Sequence, residues 1–96
     1  MDLVYSPSVE RKLREKHDVE IEEVHQCFLN RETPILIDDR PNNATEPPTR
    51  FFIAKTDKGR TLKVAFILHP DEADLKTAYE PSQEDIDYYN RNSQKT

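Results

Sequence analysis

Cysteine, glycine and long apolar runs are scarce or missing in this chain of 96 residues, and these shortages limit the structures that it can form. Cys27 is the only cysteine, so neither an internal disulfide nor a cysteine-based zinc site can form. Gly59 is the only glycine, and it falls in a turn-like DKGR segment, where a positive φ angle is often needed. No apolar run approaches the roughly 20 residues of a membrane-spanning helix.

The beginning of the chain, MDLVYSPSVERK, has neither the charged start nor the long apolar stretch of a signal peptide. We therefore expect a soluble, cytoplasmic protein without membrane contact. The length fits a single domain, which we place at residues 1–91, followed by a flexible tail at 92–96.

Acidic residues outnumber basic ones by 19 to 14, for a net charge of −5. The excess lies in the C-terminal third, because residues 69–96 carry three basic and seven acidic side chains. Nonspecific nucleic-acid binding depends on neutralising phosphates, so this balance disfavours RNA as a partner. It favours a protein partner with a basic surface.

Two helices are predicted near the N-terminus. Ser6 can cap a helix over 7–17 in which Pro7 takes the first position, where its missing N–H costs nothing. The spacing of Ile21, Val24 and Phe28 predicts a second helix over 20–30.

Strands are predicted over 34–38, 50–56, 61–68 and 73–80, with a further short strand at 2–5 as an option. A loop is expected at 39–48, and Ser82 caps a last helix over 83–91. This order predicts an α+β fold: an N-terminal helix pair packed on a four-stranded, mainly antiparallel sheet, which is covered on one face, with a short C-terminal helix.

Several short words resemble the BrnT-like toxins of the RelE/ParE toxin superfamily. They are KHDVEIEEVHQCF (16–28), the pair Asp38–Asp39, RFFI (50–53), GRTLKVAF (59–66) and KTAYEPSQEDIDYY (76–89). The resemblance implies a compact ribonuclease-like toxin that is neutralised by an antitoxin. It also implies metal-independent RNA cleavage through the 2′-hydroxyl group.

The match carries over at Lys16–His17, at Arg50 and at Ala78. It departs at Tyr79, where the family has the arginine of an Ile-Ser-Ala-Arg word that precedes the C-terminal helix. It also departs in the last helix, which is acidic here instead of arginine-rich. These departures remove phosphate-binding groups and add repulsion for RNA.

Six residues are candidates for a site. We assign catalytic roles to His17, Tyr79 and Glu80, and substrate binding to Arg50, Lys63 and Lys76. No metal site or cofactor is expected, because the histidines lack ligand spacing. Strand alternation puts Lys63 and Lys76 on a polar sheet face, separates Tyr79 from Glu80, and places Lys76 and Glu80 on one face.

Each candidate also has a plain structural interpretation. His17 can close a helix corner, Tyr79 can pack against the helices, and the lysines can form cross-strand ion pairs on a solvated face. Two functions therefore stay open. One is a toxin-like ribonuclease with an altered site, and the other is a noncatalytic module that docks a basic partner through its acidic C-terminal helix.

Overall fold

The computed structural model describes residues 2–38 and 46–93. Along the chain it contains β1 (Asp2–Val4), α1 (Pro7–His17), α2 (Ile21–Asn30), β2 (Leu36–Ile37), β3 (Thr49–Lys55), β4 (Thr61–Leu68), β5 (Glu72–Tyr79) and α3 (Gln83–Ser93). The predicted α+β class with a mainly antiparallel sheet is confirmed.

The prediction of four strands is wrong for the described part of the chain, where the sheet has five in the order β1-β5-β4-β3-β2. The optional first strand is present at Asp2–Val4 and runs parallel to β5, along residues 72–74. The strand predicted at 34–38 is reduced to Leu36–Ile37. The last helix continues to Ser93 instead of ending at the predicted residue 91. Residues 94–96 of the predicted tail lie outside the described residues, as do 39–45 of the predicted loop.

Local sequence explains how the helices start and stop. The Ser6 hydroxyl accepts a hydrogen bond from the Val9 amide at 3.1 Å, and Pro7 occupies the first turn, as predicted. Asp18 ends α1 in the left-handed region, with φ of 54°. In α2 the Glu23 carboxylate accepts from the Glu20 amide at 3.0 Å, which forms one half of a capping box.

The helix pair α1 and α2 covers one face of the sheet, which we call the helix-pair face. Phe28 of α2 packs on Phe52 and Phe66, with ring centroids 4.9 and 5.4 Å apart. Both sheet residues are fully buried, as is Leu13 of α1. Each such aromatic side chain contributes about 1.5–3 kcal/mol by leaving water.

The prediction that only one face is covered is wrong. The helix α3 packs against β2 and β3 on the opposite face, which we call the α3 face. Tyr88 and Tyr89 lie 6.0 and 5.7 Å from the ring of Phe51. The Tyr89 hydroxyl donates to the Pro34 carbonyl at 2.6 Å and also bonds with Thr33. Tyr89 therefore anchors α3 by its ring and by its hydroxyl.

The edge of the sheet at β3 is capped by side chains where β2 stops. The Asn30 amide donates to the Lys55 carbonyl at 2.9 Å, and the Thr33 hydroxyl bonds the Ile53 carbonyl at 3.5 Å. Side chains that contact these carbonyls hinder the addition of another strand along this stretch.

The hairpin turn between β3 and β4 forms as predicted. Gly59 has a φ of +85°, and the Thr56 amide donates to the Arg60 carbonyl at 2.8 Å. Across residues 2–38 and 46–93, every helix is too short or too polar to cross a bilayer.

Candidate functional site

Three of the predicted site residues meet at one corner of the molecule. The His17 ring at the end of α1 lies 5.4 Å from the ring of Tyr79 at the end of β5. The Lys63 ammonium of β4 lies 5.6 Å from the same tyrosine ring. Asp85 of α3 completes the group, which we call the His17–Tyr79 corner: His17, Lys63, Tyr79 and Asp85.

Lys63 and Asp85 form a buried ion pair within this corner. Their side chains are 5% and 12% exposed, and Lys63 Nζ lies 3.1 Å from Asp85 Oδ1. The ammonium also stands 4.8 Å from the centroid of the Phe51 ring, where a cation–π attraction adds to the pairing. Lys63 is on the face opposite the helix pair, as strand alternation predicts, but α3 covers it, so the prediction of a solvated lysine is wrong.

Asp85 makes hydrogen bonds with Ser82 in addition to its ion pair with Lys63. The Ser82 hydroxyl accepts from the Asp85 amide at 3.1 Å, and Asp85 Oδ2 accepts from the Ser82 amide at 3.2 Å. Burial by itself would raise the pKa of the Asp85 carboxyl. The hydrogen bonds from Lys63 and Ser82 outweigh that effect and hold the pKa below its usual value. Asp85 thus completes a capping box with Ser82 at the start of α3, and its carboxylate also neutralises Lys63.

His17 is half-buried beside Tyr79. Its pKa is lowered, first by burial and then by the positive charges of Lys12 and Lys16. The imidazole is therefore predominantly neutral near pH 7, which is the form that can accept a proton. The corner thus offers a proton acceptor beside a phenol, while its lysine is already bound.

Arg60 was not among the residues predicted for the site, but it links the end of α1 to α2 and to Glu80. Its guanidinium donates to the carbonyls of Asp18 and His17 at 2.6 and 3.2 Å, and so closes the C-terminal end of α1. It also bonds Glu23 at 3.1 Å and Glu80 at 3.2 Å. An arginine directly after the turn glycine was the available signal, but its four partners are distant in sequence.

Glu80 does not act with Tyr79 or with Lys76 in this arrangement. Its carboxylate is bound by Arg60, whereas Tyr79 faces His17 and Lys63. Lys76 instead pairs with Asp74 at 3.2 Å, so the pairing of Lys76 with Glu80 suggested by alternation is not formed. A bulge between Ala65 and Phe66 shifts the register with β5 and breaks the simple alternation.

Arg50 lies apart from the corner. It is opposite Phe66 in the β3–β4 register and shares the helix-pair face with Phe52. Lys63 is on the other face of the same sheet. The three cations predicted to bind phosphate therefore do not converge.

Metal binding finds no support in the described ranges, which contain no group of three or more His, Cys, Asp or Glu side chains placed to hold an ion. Cys27 is fully buried, and burial, reinforced by the charge of Glu23, raises the pKa of its thiol to about 11. The thiol is thus inert near neutral pH.

No protein-family model matches the chain, and no curated protein is significantly similar to it.

Proposed function

We propose that this chain is a diverged BrnT-like member of the RelE/ParE toxin superfamily, and that it acts in the cytoplasm as a noncatalytic protein-binding module. The order of the short sequence words supports the family, and the α+β architecture is compatible with it. The loss of RNA cleavage is inferred from the ion pairs of the sheet.

The observation that carries this proposal is the burial of Lys63 against Asp85. A cation that binds RNA phosphate must be accessible, yet the Lys63 side chain is 5% exposed and its ammonium already has a carboxylate partner. Lys76 is paired with Asp74, and Arg50 lies on the other face. The three predicted cations therefore cannot hold one phosphate together at the His17–Tyr79 corner.

The outer surface of α3 supports binding to a basic partner, such as an antitoxin or another protein. Asp85 points inward, but Glu84 and Asp87 are exposed on the same helix. Basic residues on a partner would be attracted to these carboxylates, with a strength that falls as salt is added.

Expression of the protein alone in its host, followed by mapping of RNA ends, tests the absence of cleavage. We expect normal growth and intact RNA. In parallel, the product of any small reading frame beside the gene is copurified with the wild type and with the Glu84→Lys, Asp87→Lys double variant. Weaker copurification of the variant, at unchanged stability, is expected, with Glu15→Lys on α1 as the matched control. RNA cleavage, or equal copurification of all three proteins, would contradict the proposal.

A second candidate function is metal-independent RNA cleavage, which the contact of His17 with Tyr79 favours. A neutral His17 could take the proton of the 2′-hydroxyl group, and the Tyr79 hydroxyl could protonate the leaving oxygen. Cleavage that is lost in both His17→Asn and Tyr79→Phe, but retained in His25→Asn, would establish this function in place of the first.

A further inference from the structure

One side chain of the β3–β4 hairpin bonds both chain segments that carry the rings of the His17–Tyr79 corner. Arg60 Nη2 donates to the His17 carbonyl at 3.2 Å and to Glu80 Oε2, also at 3.2 Å. His17 carries one ring, and Glu80 directly follows Tyr79, which carries the other. A single nitrogen therefore bridges the two segments whose ring centroids lie 5.4 Å apart.

The second nitrogen of the guanidinium fixes its orientation. Nη1 of Arg60 donates to the Asp18 carbonyl at 2.6 Å and to the two carboxylate oxygens of Glu23 at 3.1 and 3.2 Å. A guanidinium is planar and its donors form a rigid fork, so bonds from both nitrogens determine its direction as well as its position.

The backbone of Arg60 is also held in place by its own turn. The Arg60 amide donates to the Thr56 hydroxyl at 3.1 Å, and the Arg60 carbonyl accepts from the Thr56 amide at 2.8 Å. Thr56 is buried, with 4% of its surface exposed. A side chain can fix other groups precisely only when its own attachment is fixed, and the turn provides this for Arg60.

The two rings need such support because their direct contact is weak. Within residues 2–38 and 46–93 no hydrogen bond joins the His17 imidazole to the Tyr79 hydroxyl, and the rings meet only by tilted packing. A single aromatic contact contributes little by itself. The placement of the rings therefore depends on how the end of α1 is held against the end of β5.

We infer that Arg60 is the positioning residue of the His17–Tyr79 corner, and that its two nitrogens set the distance between the imidazole and the phenol. It acts through the His17 backbone and the Glu80 carboxylate. The inference goes beyond the proposed protein-binding function and does not depend on it. In the second candidate function, Arg60 would set the distance between the proton acceptor and the proton donor.

Nuclear Overhauser effects (NOEs) between ring protons of His17 and Tyr79 in the full chain test the inference. The wild type should show them, and Arg60→Gln should lose them because the end of α1 is no longer bonded to the segment after β5. Lys58→Gln removes the same charge from an exposed residue of the same turn, and it should retain the NOEs.

Two conservative variants separate geometry from charge. Arg60→Lys keeps the charge but has one nitrogen, so it should also lose the ring NOEs. Glu80→Gln can still accept from Arg60 through its amide oxygen and should retain them. The NOEs between Phe28 and Phe52, whose rings lie 4.9 Å apart in the core, should persist in every variant and so report that the fold is intact.

Three results would overturn the inference. Ring NOEs that persist in Arg60→Gln would show that packing alone places the rings, and NOEs that persist in Arg60→Lys would assign the effect to charge. Loss of the core NOEs together with the ring NOEs would make Arg60 a residue of general stability. The proposed function fails differently, through RNA cleavage or an α3 surface that binds nothing, and neither outcome alters these NOEs.

Discussion

Two lysine–aspartate pairs, one between β4 and α3 and one within β5, differ in burial rather than in distance. Lys63 and Asp85 are 3.1 Å apart with side chains 5% and 12% exposed, and Lys76 and Asp74 are 3.2 Å apart with side chains 46% and 37% exposed. The buried charges cannot return to water separately, so each depends on the other. The exposed charges are solvated with or without a partner. The buried pair therefore fixes α3 on the sheet, and the exposed pair leaves Lys76 available to exchange partners.

The largest expected difference comes from removing one carboxylate of each pair. Asp85→Ala leaves Lys63 charged and buried, which should lower the free energy of unfolding by about 3–5 kcal/mol. The loss includes the hydrogen bond that the Asp85 carboxylate accepts from the Ser82 amide. Asp74→Ala, the matched control, should cost about 1 kcal/mol or less. Urea unfolding measures both, and equal losses would show that the two pairs are energetically alike.

Lowering the pH should break the buried ion pair between Lys63 and Asp85. Because folding lowers the pKa of Asp85, its stabilisation is complete above the pKa of an unfolded aspartate, about 3.9, and is lost as pH falls below that value through the folded-state pKa. Urea midpoints measured from neutral pH downward should therefore fall more steeply for the wild type than for Asp85→Asn. If the urea midpoints of the two proteins fall in parallel with pH, Asp85 is not the group responsible for the loss of stability in acid.

Removing both buried charges should cost much less than removing one. In the Lys63→Met, Asp85→Asn double variant no charge is left uncompensated, and an asparagine can still accept from Ser82. We expect its free energy of unfolding to lie within about 1–2 kcal/mol of the wild type. A double-mutant cycle with the single variants gives the coupling energy. Losses that simply add would mean that the two side chains do not depend on each other.

The smallest expected effect concerns Lys12 and Lys16, two exposed lysines whose charges lower the pKa of His17. Lys12→Gln with Lys16→Gln should raise the pKa of His17, but burial should keep it below the value of an unperturbed histidine, about 6.5. An NMR titration of the His17 ring measures this change, and Arg11→Gln serves as a control on the same helix. A fully normal pKa in the double variant would show that burial contributes nothing.

The parts of the fold that sequence predicts well are those fixed by neighbours in the chain. Ser6 and Pro7 begin α1, Ser82 begins α3 and Gly59 makes the hairpin turn, because each acts through its own backbone or through residues three or four positions away. Alternation also placed Lys63 on the face opposite the helix pair.

The candidate site was predicted less well because its partners are remote. Lys63 is buried only because Asp85, 22 positions later, arrives on α3. Arg60 closes α1 from 42 positions away, at Asp18. The bulge at Ala65 and Phe66 shifts the register of β5, and a regular period cannot anticipate such a shift. Contacts of this kind follow from the packing of whole elements.

Side chains at one edge of the sheet hinder its growth by strand addition. A chain of copies joined edge to edge can grow only if every copy offers two receptive edges. Here Asn30 and Thr33 occupy the outward carbonyls at β3. Addition of another strand along residues 53–55 is therefore hindered, which limits edge-to-edge association of copies through this part of the sheet.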